Sequence, residues 1–91
     1  MEIEQFPGGA LVRQGLDDLR DGRETEPALL VLIGAPRLRR LGLDVPSEDD
    51  PGASHRLYLH LASQDPDGAH SRYNALIRLL VSFERAAECA A

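Results

Sequence analysis

Arg37, Arg39 and Arg40 place three guanidinium groups within four positions, the densest set of chemically capable side chains in the sequence. Each offers a planar fork of donors that matches a carboxylate or a phosphate. On a short helix after a turn, such a trio has the form of a helix-turn-helix recognition element and predicts a face for DNA or RNA. Two features oppose that reading. The segment supplies no Asn, Gln, Ser or Thr to read base edges, and Glu48, Asp49 and Asp50 follow closely. The formal charge of -5 is also opposite to the basic excess with which nucleic-acid binders displace phosphate counterions. A solvated or internally paired arginine face is therefore the first expectation for Arg37, Arg39 and Arg40, and a nucleic-acid-associated regulator is an alternative.

His70, Arg72, Tyr73, Asn74 and Arg78 form a second set. Together they suggest a site for an anion, a small metabolite or a partner's carboxylate. On a 3.6-residue period they project over too wide an arc for all five to share one ligand. Arg72 and Glu84 fall inside or beside an apolar sector, where an unpaired charge is costly to dehydrate, and they lie three turns apart. Each is expected to find a salt-bridge partner or to reach the sector edge.

No catalytic residue, metal ligand or cofactor is expected. His55, His60 and His70 have poor spacing for zinc, although His60 and His70 can be drawn facing each other across a hairpin. Asp65-Pro66-Asp67-Gly68 lacks the ligand ladder and closing glutamate of a calcium loop. Neither Gly8-Gly9 nor Gly34 has the Lys and Ser or Thr spacing of a phosphate loop. Ser63, Ser71 and Ser82 have no nucleophile-elbow context, and the lone Cys89 has neither Cys nor His beside it.

Helices must position these groups. Leu11, Val12, Gly15, Leu16 and Leu19 recur near helical spacing, with Arg13, Gln14, Asp17, Asp18 and Arg20 on the outer side and Gly22 as a stop. Arg13 and Asp17 are four apart and predict a surface pair. Thr25, Glu26 and Pro27 provide a cap, an acid and a first-turn proline for a second helix. Ala28 to Ile33 is apolar on all sides and predicts deep burial. Gly34-Ala35-Pro36 predicts a break or kink before a short helix ending at Gly42. The stretch 43–53, with Pro46, Pro51 and Gly52, reads as an acidic loop whose charge serves solvation.

Ser54 is placed to cap a helix ending near Ser63, and Asp65 to cap a final helix with Pro66 at its first position. In that last helix Ala69, Tyr73, Leu76, Ile77, Leu79, Leu80, Phe83 and Ala87 fill more than half the circumference. One neighbour cannot cover so wide a sector, so at least two packing partners or a second subunit are expected.

These elements predict an all-α, compact four- or five-helix domain spanning 1–91, with helices near 10–21, 26–34, 36–41, 55–63 and 66–88. Residues 1–9 read as a flexible N-terminal arm with Ile3 and Phe6 as anchors. A small α+β domain with strands near 28–33 and 56–62 is the alternative, because Leu57, Leu59 and Leu61 alternate. The core is aliphatic, with 43% hydrophobic residues but only two Phe, two Tyr and no Trp. All ten basic residues are Arg, a usage that fits codon bias in a GC-rich bacterial genome. With no signal-peptide pattern and no long apolar run, a cytoplasmic location away from membranes is the default. The functional expectation is a non-enzymatic protein-protein interaction or regulatory module, with the wide final helix serving a homodimer or a groove for another protein.

Overall fold

The computed structural model describes residues 2–90; Met1 and Ala91, which the expected domain range includes, lie outside them. A short 3-10 helix at Ile3–Gln5 leads into four helices: α1 (Gly9–Arg20), α2 (Glu26–Arg40), α3 (Ala53–Gln64) and α4 (Ala69–Ala90). No strand occurs among the described residues. The all-α expectation holds, and the α+β alternative does not. The Cα radius of gyration, 12.6 Å, is that of a close-packed chain of this length.

Local chemistry explains most boundaries. Thr25 caps α2, its Oγ accepting from the Ala28 N–H at 3.3 Å, while Glu26 and Pro27 fill the first turn. Gly22 and Gly42, both at positive φ, follow α1 and α2. Leu57 and Leu61, four apart, are buried on α3 while Leu59 is 52% exposed. That is a helical stripe and not the alternation of a strand.

Several expectations need correction. The helices expected at 26–34 and 36–41 are one, α2, running through Pro36. Pro36 removes the donor for the Leu32 carbonyl, a defect of about 3 kcal/mol in a helix interior. Continuation carries Leu38 into the core with Leu32 and Ala35, and that burial offsets the defect. The last helix starts at Ala69 and not at Pro66. Asp65 instead closes α3, donating its N–H to the Leu61 carbonyl at 3.0 Å, and its carboxylate folds against Gly68.

Ser54 is not a cap either: α3 starts after Gly52, and the Ser54 hydroxyl lies 2.6 Å from the Tyr73 hydroxyl. Asp17 pairs with Arg20 at 3.0 Å while Arg13 pairs with Glu4 at 2.7 Å, so the Arg13–Asp17 pair is not made. Asp18, assigned to the outer side of α1, is 3% exposed. The acidic loop is held by more than water, since Asp49 pairs with Arg39 and Asp50 with Arg56.

One contiguous core joins all four helices and the N-terminal segment. At 22 residues, α4 is about 33 Å long and packs against both α2 and α3. Its third neighbour is the N-terminal segment. Ile3 is fully buried, and Phe6 meets Phe83 edge to face with centroids 6.0 Å apart. Gly8, at φ +74°, passes so close that a Cβ there would stand 2.8 Å from the Leu79 carbonyl oxygen. The wide apolar sector is thus met mainly from within. Leu79, 42% exposed, and the half-buried Ile77 and Val81 mark its two open flanks.

Candidate interaction groove

Among the described residues, seven of the ten arginines form ion pairs with carboxylates of the same chain. Arg37 reaches Glu88 at 2.6 Å and Glu84 at 3.5 Å. Arg39 is held by Asp49 and by the Ser47 carbonyl. Arg56 ties α3 to Glu24 at 2.8 Å and to Asp50 at 2.6 Å. Of the basic cluster Arg37, Arg39 and Arg40, the nucleic-acid reading is left with Arg40 alone.

The second expected set does not converge. His70 lies 3.2 Å from Asn74 on the exposed side of α4. Tyr73 turns inward to Ser54 and stacks edge to face on Tyr58, with centroids 6.1 Å apart. Arg72 pairs with Glu26 at 3.3 Å, and Arg78 points to solvent. His60 does not face His70; its Nε2 lies 3.4 Å from the other oxygen of Glu26. Glu26 therefore joins the start of α2 to α3 and α4 beside a cavity of about 350 Å³. The Ser63 hydroxyl donates to the His60 backbone carbonyl at 2.6 Å. Among the described residues no three His, Cys, Asp or Glu side chains gather as metal ligands.

Chemistry that the residue pattern did not single out appears between α2 and α4. Ile33 and Pro36 on α2, with Ile77, Leu80 and Val81 on α4, line a groove of about 290 Å³. Gly34 permits the close approach: a Cβ there would lie 3.0 Å from Leu80 Cδ1 and 3.2 Å from Glu84 Oε2. Arg37, Arg40 and Glu84 complete the lining.

The three arginines without an ion pair among the described residues are Arg40, Arg78 and Arg85. Arg40 lines the groove itself. Arg85 follows Val81 by one turn of α4, and Arg78 lies next to Ile77 and seven residues, two turns, from Arg85. Arg40 thus borders the groove from α2, while Arg78 and Arg85 are exposed on α4 beside the wall formed by Ile77 and Val81, in a chain of net charge -5. The signal available in the sequence was the i, i+4, i+7 relation of Ile77, Val81 and Glu84. Their common opening became legible only when α2 was known to continue past Pro36.

Glu84 is 4% exposed. Burial raises its pKa above the ordinary glutamate value, and the nearby Glu88 adds to this, while Arg37 and Arg40 oppose the shift. The folded state thus holds the Glu84 proton more tightly than the unfolded state, so this group's contribution to stability is present at low pH and is lost as pH rises through its folded value. Glu84→Gln should therefore be more stable than the parent at pH 7.5, with the advantage gone at pH 4. Thermal denaturation at the two pH values checks this, and an unchanged or reversed difference contradicts it.

No helix among the described residues is long and apolar enough to cross a membrane. Comparison with protein-family models, curated proteins and solved structures finds no match to this chain.

Proposed function

We propose that this chain is a non-enzymatic protein-protein interaction module of the cytoplasm, and that the α2–α4 groove takes an acidic, apolar-bearing segment of another protein. The observation that carries the reading is an apolar groove lined by Arg40, which forms no ion pair among the described residues, with Arg78 and Arg85, likewise without one, exposed on the helix that supplies its Ile77 and Val81 wall. Apolar walls favour side chains removed from water, and guanidinium groups without a carboxylate partner beside them favour carboxylates.

A second copy of the chain is a poorer fit. Its carboxylates without an ion pair among the described residues are Glu2, Asp44, Glu48, Asp65 and Asp67, which lie outside the four helices and not along an exposed apolar helix face. Nucleic acid would use the arginines but not the apolar walls, and would meet the chain's negative charge.

Peptide display selection on the immobilised chain, with Val81→Arg as the counter-target, tests the reading. The expected result is enrichment of Asp- and Glu-rich peptides with apolar anchors that bind at least about tenfold more weakly to Val81→Arg and to Arg40→Glu/Arg85→Glu. Peptides indifferent to both variants would overturn it. So would a concentration-dependent dimer abolished by Val81→Arg, which would put a second copy in the groove. Salt-dependent retention of DNA or RNA lost on changing Arg40, Arg78 and Arg85 would also overturn it, in favour of nucleic acid.

A further inference from the structure

The groove contains a polar feature that an apolar docking surface has no need of. One carboxylate oxygen of Glu84, Oε1, faces Arg37 Nη1 at 3.5 Å, a weak separation for a charged pair. The other, Oε2, has no hydrogen-bond partner among the described residues. No enclosed side-chain nitrogen or oxygen there is left without a partner. Oε2 must consequently reach the surface of the groove that Glu84 lines. An acceptor in apolar surroundings, nearly stripped of water and with one lobe open, is strongly selective for a ligand that brings a donor, because leaving it unpaired is costly.

The surroundings narrow the donor. Arg37 and Arg40 also line the groove and already balance the charge of Glu84 and Glu88, so an incoming lysine or arginine finds no excess negative charge to meet. A neutral donor leaves that balance undisturbed. Ile33, Ile77, Leu80 and Val81 supply apolar walls, and about 290 Å³ accommodates one aromatic side chain. Tyrosine and tryptophan combine an apolar body with a neutral O–H or N–H tip, and such residues anchor many interfaces.

We infer that Glu84 is the polar anchor of the groove, its open oxygen accepting from the hydroxyl of a tyrosine or the indole N–H of a tryptophan presented by the partner's acidic segment. This rests on the proposed groove, and deepens it by naming the residue that chooses the anchor. The carboxylates flanking that aromatic residue would meet Arg40 at the groove and the exposed arginines of α4 next to it, so one aromatic donor with acidic neighbours is the motif the surface takes.

Small probes separate the two claims. The backbone amides of the full chain are followed by NMR during titration with p-cresol and, separately, with its O-methyl ether, which has the same ring but no donor. The expected result is that p-cresol moves the Gly34, Ile77 and Val81 amides and binds roughly tenfold more tightly than the ether. In Glu84→Leu the two compounds should bind alike, and the dispersion of the same spectra reports whether this variant is folded. Glu84→Gln, which keeps the shape and an acceptor oxygen, should retain part of the preference.

Equal binding of the two compounds to the parent would overturn the anchor while leaving the groove in place. A preference that survives in Glu84→Leu would overturn it as well. Failure of both compounds to move any groove amide would overturn the anchor and count against the groove itself, which the peptide selection reads independently.

Discussion

Gly15→Ala lowers the melting temperature by roughly 15 °C or prevents folding, although alanine is the better helix former by about 1 kcal/mol. Gly15 faces α2 at a close approach of α1 and α2. A Cβ there would stand 2.5 Å from Val31 Cγ2 and 2.8 Å from the Pro27 carbonyl carbon, with the Pro27 carbonyl oxygen nearer still. A side-chain tip can rotate away, but the obstructing carbonyl belongs to the first turn of α2. Pro27 is held there by the Thr25 cap and by the buried Ala28, Leu29 and Val31 that follow. Relief therefore requires the two helices to separate, opening the packing around Val12, Leu16 and Val31. Thermal denaturation followed by circular dichroism measures the loss. A variant as stable as the parent would mean that α1 and α2 do not cross at this residue.

Asp18→Ala has the second largest expected effect, a fall in melting temperature on the order of 10 °C at pH 7. Asp18 accepts from the Thr25 hydroxyl at 2.5 Å, from Gln14 Nε2 at 2.8 Å and from Arg23 Nη2 at 2.9 Å. Thr25 also caps α2, so one buried carboxylate orients the hydroxyl that starts the next helix. Arg23 adds a turn contact by donating its backbone N–H to the Asp18 carbonyl at 2.8 Å. Removing the carboxylate opens a void at a buried position and leaves the Thr25 hydroxyl without its acceptor, while Gln14 and Arg23, both exposed, turn to water.

The hydrogen bond from Thr25, with those from Gln14 and the charge of Arg23, holds the Asp18 carboxyl below the usual aspartate range despite its burial. Its folded pKa lies below the unfolded value, so its contribution is present above about pH 4 and is lost as pH falls through the folded value. The gap between parent and Asp18→Asn should be full at pH 7 and should narrow at pH 3. A gap independent of pH would show that the charge of Asp18 does not contribute. Asp18 and Glu84 thus move in opposite directions with pH: three donors surround the first, while the second has one distant guanidinium in an apolar wall.

The all-helical class was legible because periodicity is a local property, present along α1 and α4 whatever they pack against. The Thr25-Glu26-Pro27 start of α2 was equally local, being set by backbone donors that a hydroxyl can reach within one turn. Pro36 misled because its local cost is real, and the compensation comes from Leu38 reaching a core whose other walls lie far along the chain. Asp18 misled for the opposite reason. Its type and neighbours suit an exposed helix face, and only the return of the chain at Thr25 and Arg23 makes burial tolerable. Arg72 and Glu84, the charges in or beside the apolar sector, meet different ends, Arg72 finding Glu26 at the edge and Glu84 a single distant pairing inside.

By itself, the amino-acid sequence determined the helices, the aliphatic character of the core and the excess apolar arc of α4, since each follows from residue type and spacing within a few turns. Tertiary structure alone decided what covers that arc and which charges remain free. The N-terminal segment came to rest on Phe83 and Leu79, and seven arginines found carboxylates, several of them far away in sequence. Ion pairing and groove formation depend on distances between segments that no local period encodes, and so the groove that brings Arg40 and Glu84 together emerged only once α2 lay against α4.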